Sequence, residues 1–230
     1  MADGVHGKRR GHDVVRLLWR SGTYYTNVAL PPRHFPGMLC TMDHVELNVL
    51  QAGLARIRRS PKDQGRVELI VRRPAENERE MLAEAVLDCR HGLLGDSWWT
   101  RGSSRTRSRG PNPGRQLTLM NARVAALVAG SAERWQLAGD QLYVDLDLSC
   151  DNLPPGTRLA LGSAVIEVSD QPHRGCQKFA SRFGVDALRF VNSDLGNELN
   201  LRGINASVVV GGLVRPGDAI RKTSAEGDPA

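Results

Sequence analysis

One cysteine lies among residues that could make its sulfur reactive. Cys176 stands in the stretch Ser169–Val191, SDQPHRGCQKFASRFGVDALRFV, with His173, Arg174 and Lys178 close to it. The chain before this stretch is strand-like and an amphipathic run follows the cysteine, so Cys176 is predicted at a strand-to-helix turn. Cationic neighbours and a helix N-terminus both stabilise a thiolate. The pattern favours thiolate chemistry, either transfer of a persulfide sulfur or redox sensing.

The residues around Cys176 could also bind a ligand and exchange protons with it. His173 can act as a general acid or base near neutral pH. Arg174, Lys178 and Arg182 follow one another at four-residue spacing, which would place them near each other on a helix. Arginine in particular suits phosphate. The alternatives are a structural histidine and a solvated basic face. No motif supplies a further relay residue, so a cysteine hydrolase is disfavoured.

A second basic stretch, residues 97–115, has the composition of a loop. It contains five arginines among Gly, Ser and Pro and shows no apolar period. A loop of this length in a compact domain is either functional or disordered. The functional interpretation is a basic lid over an anionic ligand, with Arg101 and Arg115 at its ends as ligand contacts. The alternative is a solvated loop that happens to be basic.

The elements that must position these residues are short. Strand patterns are found at residues 67–71, 116–119, 142–148, 158–161, 164–168 and 204–210. Helical patterns are found at residues 41–59, 76–84, 120–129, 176–183 and 186–191. Many short strands joined by Gly and Pro turns predict a mainly β protein, a β-barrel with a few short helices. The helix at 41–59 is expected to pack on the outside of the barrel.

Composition limits the function classes. The 230 residues carry a net charge of +6, and only four of the 31 basic residues are lysine. An arginine-rich chain could bind nucleic acid or a small phosphorylated ligand, or could simply reflect genomic composition. The aromatic fraction is only 5%, and no aromatic residues alternate with the basic ones to form a base-stacking platform. Nucleic acid is therefore the less favoured partner.

The remaining cysteines and histidines show no metal-binding pattern. Cys40, Cys89 and Cys150 are not spaced as C-x-x-C pairs, and each is expected to be a small buried apolar residue. The histidines have no zinc spacing. No apolar run is long enough to span a membrane, and the first residues lack the apolar core of a signal peptide. A cytoplasmic protein is therefore expected.

Several motifs together resemble the MOSC domain, the C-terminal domain of molybdenum-cofactor sulfurases. The run Gly175-Cys176-Gln177-Lys178-Phe179 is similar to the family's cysteine motif, although Gly175 stands where many members have proline. Residues 153–162, LPPGTRLALG, are similar to the hairpin that precedes it, and RGINASVVVGGLVRPGDAI follows from Arg202. The resemblance covers residues 82–222 and predicts a MOSC domain there. It leaves residues 1–81 as an N-terminal tail and extension packing on the barrel, and 223–230 as a polar tail.

The resemblance implies a barrel like the β domain of pyruvate kinase and a site for the molybdenum cofactor. In that site Cys176 would carry sulfur or ligate molybdenum, which is a soft-ligand role. Arg202 would contact the pterin phosphate, alongside the basic residues named above. The partners implied are the pterin cofactor or a sulfur acceptor, with a sulfur-donor protein. Some relatives reduce N-hydroxylated compounds, so the enzyme class stays open between oxidoreductase and sulfur transferase. The alternative is a non-enzymatic module that binds a phosphorylated small molecule and has a redox-sensitive cysteine. Oligomeric state is left open.

Overall fold

Short strands and short helices make up the part of the chain that is described in the computed structural model, residues 44–101 and 110–223. The strands are β1 (Gln64–Arg72), β2 (Glu80–Leu82), β3 (Ala85–Asp88), β4 (Gly92–Leu93), β5 (Leu117–Asn121), β6 (Leu142–Asp145), β7 (Arg158–Leu161), β8 (Ala164–Val168), β9 (Ile204–Val210), β10 (Gly212–Val214) and β11 (Ala219–Thr223). The helices are α1 (Leu47–Ala52), α2 (Leu54–Ile57), α3 (Trp98–Arg101), α4 (Ala122–Ala129), α5 (Gln177–Phe183), α6 (Val185–Asn192) and α7 (Asp194–Glu198). Two 3₁₀ helices cover Pro113–Arg115 and Ala132–Ala138.

Seven of these strands close into a barrel. Around the ring the order is β1, β11, β7, β8, β9, β5 and β6, and β6 pairs with β1 again. All neighbours are antiparallel except β5 and β6, which are parallel and are joined by α4 and a 3₁₀ helix. β2 extends β1 beyond the ring, and β10, β3 and β4 form a small separate sheet. The predicted β-barrel with a few short helices is therefore confirmed.

The barrel has one apolar core inside it and a second one outside, under the helices. The inner core is formed by side chains such as Val67, Leu119, Ile166 and Ile220. The outer core is formed by outward-facing strand residues and by residues of α1, α2, α4, α5 and α6. Because both faces of several strands are buried, the alternation of apolar and polar residues that marks a half-buried strand is weakened.

β6 shows how the two cores share a strand. Leu142 and Val144 belong to the inner core, while Tyr143 points the other way and belongs to the outer core. The sequence pattern places Tyr143 on the polar face, but its side chain is fully buried. Its hydroxyl donates to the carbonyl of Trp135 at 2.6 Å, which satisfies the one polar group that this burial removes from water. Tyr143 is buried because the helices outside the barrel cover the face of β6 that the sequence pattern predicted to be polar and exposed.

Two local features fix where elements begin. Asn121 caps α4, because its side-chain oxygen accepts from the backbone N–H groups of Arg123 and Val124 at 2.8 and 3.2 Å. Gly203, at φ +105°, lets the chain enter β9 against β5, where an added Cβ would lie 2.1 Å from the carbonyl oxygen of Leu119. Asn121 thus fixes the start of α4, and Gly203 permits the close approach of β9 to β5.

Most of the predicted elements are present, but the helix predicted at 41–59 is two short helices, α1 and α2, in its described part, and the element predicted at 76–84 is wrong. The hairpin at 158–168, the strand at 204–210 and the two helices after Cys176 occur within a residue or two of their predicted bounds. Residues 76–84 were expected to form a polar helix, but they contain the strand β2, which pairs with the end of β1. The barrel also includes β1, which precedes residue 82, and the predicted domain boundaries remain a prediction.

Candidate functional site

Cys176 is the N-cap of α5 and its side chain is exposed to solvent. Its carbonyl accepts from the N–H groups of Phe179 and Ala180 at 2.8 and 3.1 Å, so the first turn of the helix begins on this residue. Its side chain makes no capping hydrogen bond. The sequence prediction of a cysteine at a helix N-terminus agrees with this geometry, and its chemical role stays a prediction.

The side chain of Asn192 makes hydrogen bonds to both polar backbone groups of Gly175, the residue before Cys176. The Gly175 N–H donates to Asn192 Oδ1 at 2.9 Å, and Asn192 Nδ2 donates to the Gly175 carbonyl at 3.1 Å. A proline at 175 would have no N–H to donate. The glycine that replaces the family's proline is therefore used here to dock the cysteine segment on α6.

A buried ion pair lies beneath α5. Arg202 Nη1 donates to Asp140 Oδ2 at 2.7 Å, and Arg202 Nη2 donates to the carbonyl of Ala138 at 2.9 Å. The Arg202 guanidinium also lies over the ring of Phe179, with 5.0 Å between its carbon and the ring centroid. Arg202 thus connects the start of β9 with the helix that begins at Cys176.

The buried position of Asp140 opposes its charge. Its carboxylate is fully buried, and this burial raises the pKa of Asp140, while the adjacent Arg202 partly offsets the shift. The same burial, with the nearby negative charge of Asp140, raises the pKa of Tyr143 far above its ordinary value. The hydrogen bond and charge of Arg202 favour the ionised carboxylate, against the cost of burying it.

His173 lies beside this pair. Its Nδ1 is 3.6 Å from Asp140 Oδ1, too long for a hydrogen bond, and the side chain is only 16% exposed. Burial lowers the pKa of His173 well below its ordinary value, and the positive charges of Arg202, Arg73 and Arg115 lower it further. His173 is therefore neutral at physiological pH.

A second buried ion pair was not anticipated from the sequence. Arg73 and Asp96 form two parallel hydrogen bonds, Nε to Oδ2 at 2.8 Å and Nη2 to Oδ1 at 2.9 Å. Arg73 Nη1 also donates to the carbonyl of Gly139, the residue before Asp140. Asp96 further accepts from the N–H of Trp98, at the start of α3. The two ion pairs are thus joined through the backbone at residues 139–140.

Further arginines gather next to Gly139. Arg182 Nη1 donates to the carbonyl of Leu137 at 2.7 Å, and an added Cβ on Gly139 would lie 3.7 Å from both Arg182 and Arg79. Burial lowers the pKa of Arg79, and the positive charges of Arg182, Arg73 and Arg101 lower it further. We call Arg73, Arg79, Arg101, Arg115, Arg182 and Arg202 the arginine cluster. The Nε atoms of Arg79, Arg115 and Arg202 are buried and have no hydrogen-bond partner among the described residues.

Lys178 and Arg174 take different positions from the rest. Lys178 Nζ bonds to Glu76 Oε1 at 3.0 Å, both side chains are exposed, and this bond together with the lysine charge lowers the pKa of Glu76. Arg174 is exposed and lines a groove of about 700 Å³ between the 147–152 segment and α7. The groove shares with the predicted site only Arg174, so we do not regard it as the site of the arginine cluster.

The other cysteines correct a sequence expectation. Cys89 and Cys150 are exposed rather than buried, and each sulfur lies 3.5 Å from a backbone carbonyl oxygen, that of Val209 and that of Asn197. Cys40 and the arginines at 105, 107 and 109 lie outside the described residues. The described residues contain no group of three or more His, Cys, Asp or Glu side chains that could hold a metal ion. Within the same ranges, no helix has the length and apolar character needed to cross a membrane.

The residues of the cluster come from distant parts of the chain. Sequence reasoning placed Arg101, Arg115, Arg182 and Arg202 in a basic pocket, and the fold brings these residues near one another. It missed Arg73, Arg79 and the pairing roles of Asp96 and Asp140. No local pattern marks them, because the separations of 23 and 62 residues within the ion pairs depend on the closed barrel.

The fold is a closed β-barrel with helices packed against it, and Cys176 lies at the start of one of these helices. The model of one family, the MOSC domain, matches residues 106–221, half of the chain, so the chain belongs to the MOSC-domain family. Membership in this family indicates a function related to the molybdenum cofactor at the family level.

Three solved structures illustrate what the chain resembles, and only the first has a TM-score above 0.5. The crystal structure of the YuaD protein from Bacillus subtilis has a TM-score of 0.51 and 17% identity, covering 71% of this chain and 97% of that one. YiiM from Escherichia coli has a TM-score of 0.46 and 21% identity, covering 71% of this chain and 72% of that one. YiiM from Geobacillus stearothermophilus has a TM-score of 0.43 and 15% identity, covering 71% and 74%. The comparison with curated proteins gave no significant match.

Proposed function

We propose that this protein binds the molybdenum cofactor, a pterin that carries a phosphate, at the arginine cluster beside Cys176. The observation that carries the proposal is the excess of guanidinium groups over carboxylates around Gly139 and Asp140, beneath the helix α5 whose N-cap is the exposed Cys176. Among the arginines with an unpartnered Nε, Arg79 is partly exposed, and an anionic ligand would supply the missing acceptor for its guanidinium group.

The members of the cluster would contribute unequally. Arg73 and Arg202 are already bonded to Asp96 and Asp140, and their side chains are 10% and 8% exposed. They would act as fixed positive charges that pre-organise the site. Arg79 and Arg182 are less deeply buried and have no carboxylate partner among the described residues. These two, with Arg101, would hold the phosphate.

Cys176 and His173 would be the chemical groups. When bound, the cofactor supplies a redox-active molybdenum, for which a cysteine thiolate is a suitable soft ligand. The exposed sulfur of Cys176 would serve either as that ligand or as a carrier of persulfide sulfur handed to an acceptor. His173, neutral and beside Asp140, would accept or return a proton during the reaction. If the protein is an oxidoreductase, the reaction that we propose is the reduction of an N-hydroxylated compound.

A second candidate is a non-enzymatic module that binds a phosphorylated small molecule. It is favoured by the solvent-exposed thiol of Cys176, which makes no capping bond and could be a redox-sensitive group instead of a ligand. In that case ligand binding would not need the sulfur.

The test is the molybdenum and pterin content of protein purified from a cofactor-competent host. We expect both in the wild type, and loss of molybdenum in Cys176→Ser. Cys150→Ser is the matched control, because Cys150 is also exposed but lies in the groove away from the cluster, and it should keep the wild-type content.

The other outcomes separate the alternatives. Pterin retained without any molybdenum in the wild type would favour sulfur carriage, which persulfide labelling of Cys176 would then detect. Equal pterin and molybdenum in the wild type and Cys176→Ser would exclude the thiol as metal ligand and support the binding module. Neither component in any sample would contradict the proposal.

A further inference from the structure

Two polar atoms face each other in the protein interior without a partner. Asp140 Oδ1 and His173 Nδ1 are both buried, neither has a hydrogen-bond partner among the described residues, and they are 3.6 Å apart. This separation is about 0.6 Å longer than a usual N–H···O hydrogen bond. A small rotation of the imidazole would close it, and leaving both atoms unpaired would be costly.

The charges around the two atoms decide which of them carries the proton. Asp140 Oδ2 accepts from Arg202 Nη1 at 2.7 Å, and a protonated Asp140 would leave the buried Arg202 without a counter-charge. The arginines near His173, which are Arg202, Arg73, Arg115 and Arg174, disfavour a second proton on its ring. An ionised carboxylate is only an acceptor, so the proton of a neutral His173 belongs on Nδ1.

We propose that Asp140 is a positioning residue that holds His173 in the Nδ1–H tautomer and leaves Nε2 as a proton acceptor. Nδ1 is buried, so the exposed part of the His173 side chain lies elsewhere on the residue. Asp140 itself is fully buried and cannot touch a ligand. It acts through the histidine, as the third group of a nucleophile–base–orienter arrangement does.

The importance of this tautomer for chemistry rests on the proposed function, but the tautomer itself is a property of the ligand-free chain. Failure of the protein to bind cofactor would therefore not contradict the proposed tautomer of His173. Conversely, a wrong tautomer would leave cofactor binding by the arginines untouched.

The experiment is two-bond ¹H–¹⁵N correlation spectroscopy of the histidine rings at neutral pH, with the His173 signals assigned by their loss in His173→Gln. In the wild type, Nδ1 should have the chemical shift of a protonated nitrogen and Nε2 that of an unprotonated one. In Asp140→Asn the side-chain oxygen would still accept from Arg202 and its NH₂ would face Nδ1. The two nitrogen shifts should therefore exchange.

Asp96→Asn is the matched control. Asp96 is also a fully buried carboxylate bonded to an arginine, and its change should lower stability without exchanging the His173 shifts. If Asp140→Asn does not fold, the wild-type spectrum alone decides. A wild-type His173 protonated on Nε2, or a doubly protonated ring at neutral pH, would overturn the proposal.

Discussion

At the scale of single residues, His173 links folding stability to pH. Its pKa is lowered in the folded protein, mainly by burial and then by the nearby arginines, whereas the unfolded chain has the ordinary value of about 6.5. As the pH falls below about 6.5, the unfolded chain takes up a proton that the folded protein resists. Stability should therefore be fully present above this pH and fall with acidification, by up to about 1.4 kcal/mol per pH unit.

Replacing the histidine should remove this dependence. We expect His173→Gln to flatten the pH profile of the unfolding free energy between about pH 5 and 7, as measured by urea denaturation. Asp140 changes stability in the opposite direction. Burial raises its pKa in the folded protein, so its contribution to the unfolding free energy is lost as the pH rises above 3.8, the ordinary pKa of an aspartate. Equal slopes of the unfolding free energy against pH in the wild type and in His173→Gln would show that His173 has the same pKa in the folded and unfolded states.

At the scale of elements, the entry to β9 depends on Gly203. Its positive φ would cost a residue with a side chain about 1–2 kcal/mol, and its Cβ would lie 2.1 Å from the carbonyl oxygen of Leu119 in β5. Backbone cannot move aside cheaply here, since β5 and β9 pair at this point. We expect Gly203→Ala to lower the unfolding free energy by about 3–5 kcal/mol.

A substitution at Gly156 separates the cost of the positive φ from the cost of a close approach between the added Cβ and the backbone. It has φ +87°, and an added Cβ would meet nothing within 4 Å. Gly156→Ala should therefore cost only about 1–2 kcal/mol, the price of the backbone conformation alone. Equal losses in the two variants, measured by chemical denaturation, would contradict the argument from close approach.

Elements whose signals are local were predictable. The hairpin of β7 and β8 has alternating apolar residues around Gly162, and α4 has an asparagine cap, so neighbours in sequence determine both. β2 was mistaken for a helix because it is a strand only through pairing with β1, with Arg72 opposite Glu80. Its three residues are too few to show a strand period, and the residues around them are mostly polar.

The candidate site was predictable only where the chain passes through it in one piece. The helix N-terminus at Cys176 follows from the residues around it. The pairs of Arg73 with Asp96 and of Arg202 with Asp140 do not, since each joins residues that meet only in the folded barrel. Exposure of Cys150 also depends on the fold, because it lies in the groove beside α7.

At the scale of the whole molecule, folding concentrates positive charge around Gly139 and Asp140. The net charge of +6 is spread over the sequence. Arg73 and Arg79 follow β1 and Arg182 lies in α5, yet all three lie next to Gly139, and burial followed by the charges of Arg182 and Arg73 lowers the pKa of Arg79. A ligand that neutralises them should stabilise the folded state, because the unfolded chain has no such cluster.

Inorganic phosphate tests this stabilisation with a simple probe of the cluster. We expect phosphate to raise the melting temperature above that in chloride of equal ionic strength, by about 2–4 °C for each kcal/mol of binding. Arg182→Gln should abolish most of the difference, since Arg182 has no carboxylate partner among the described residues. Arg189→Gln is the control, because Arg189 is exposed on α6 and pairs with Asp186, and it should leave the phosphate effect unchanged. Equal phosphate effects in both variants would place the anion somewhere other than the arginine cluster.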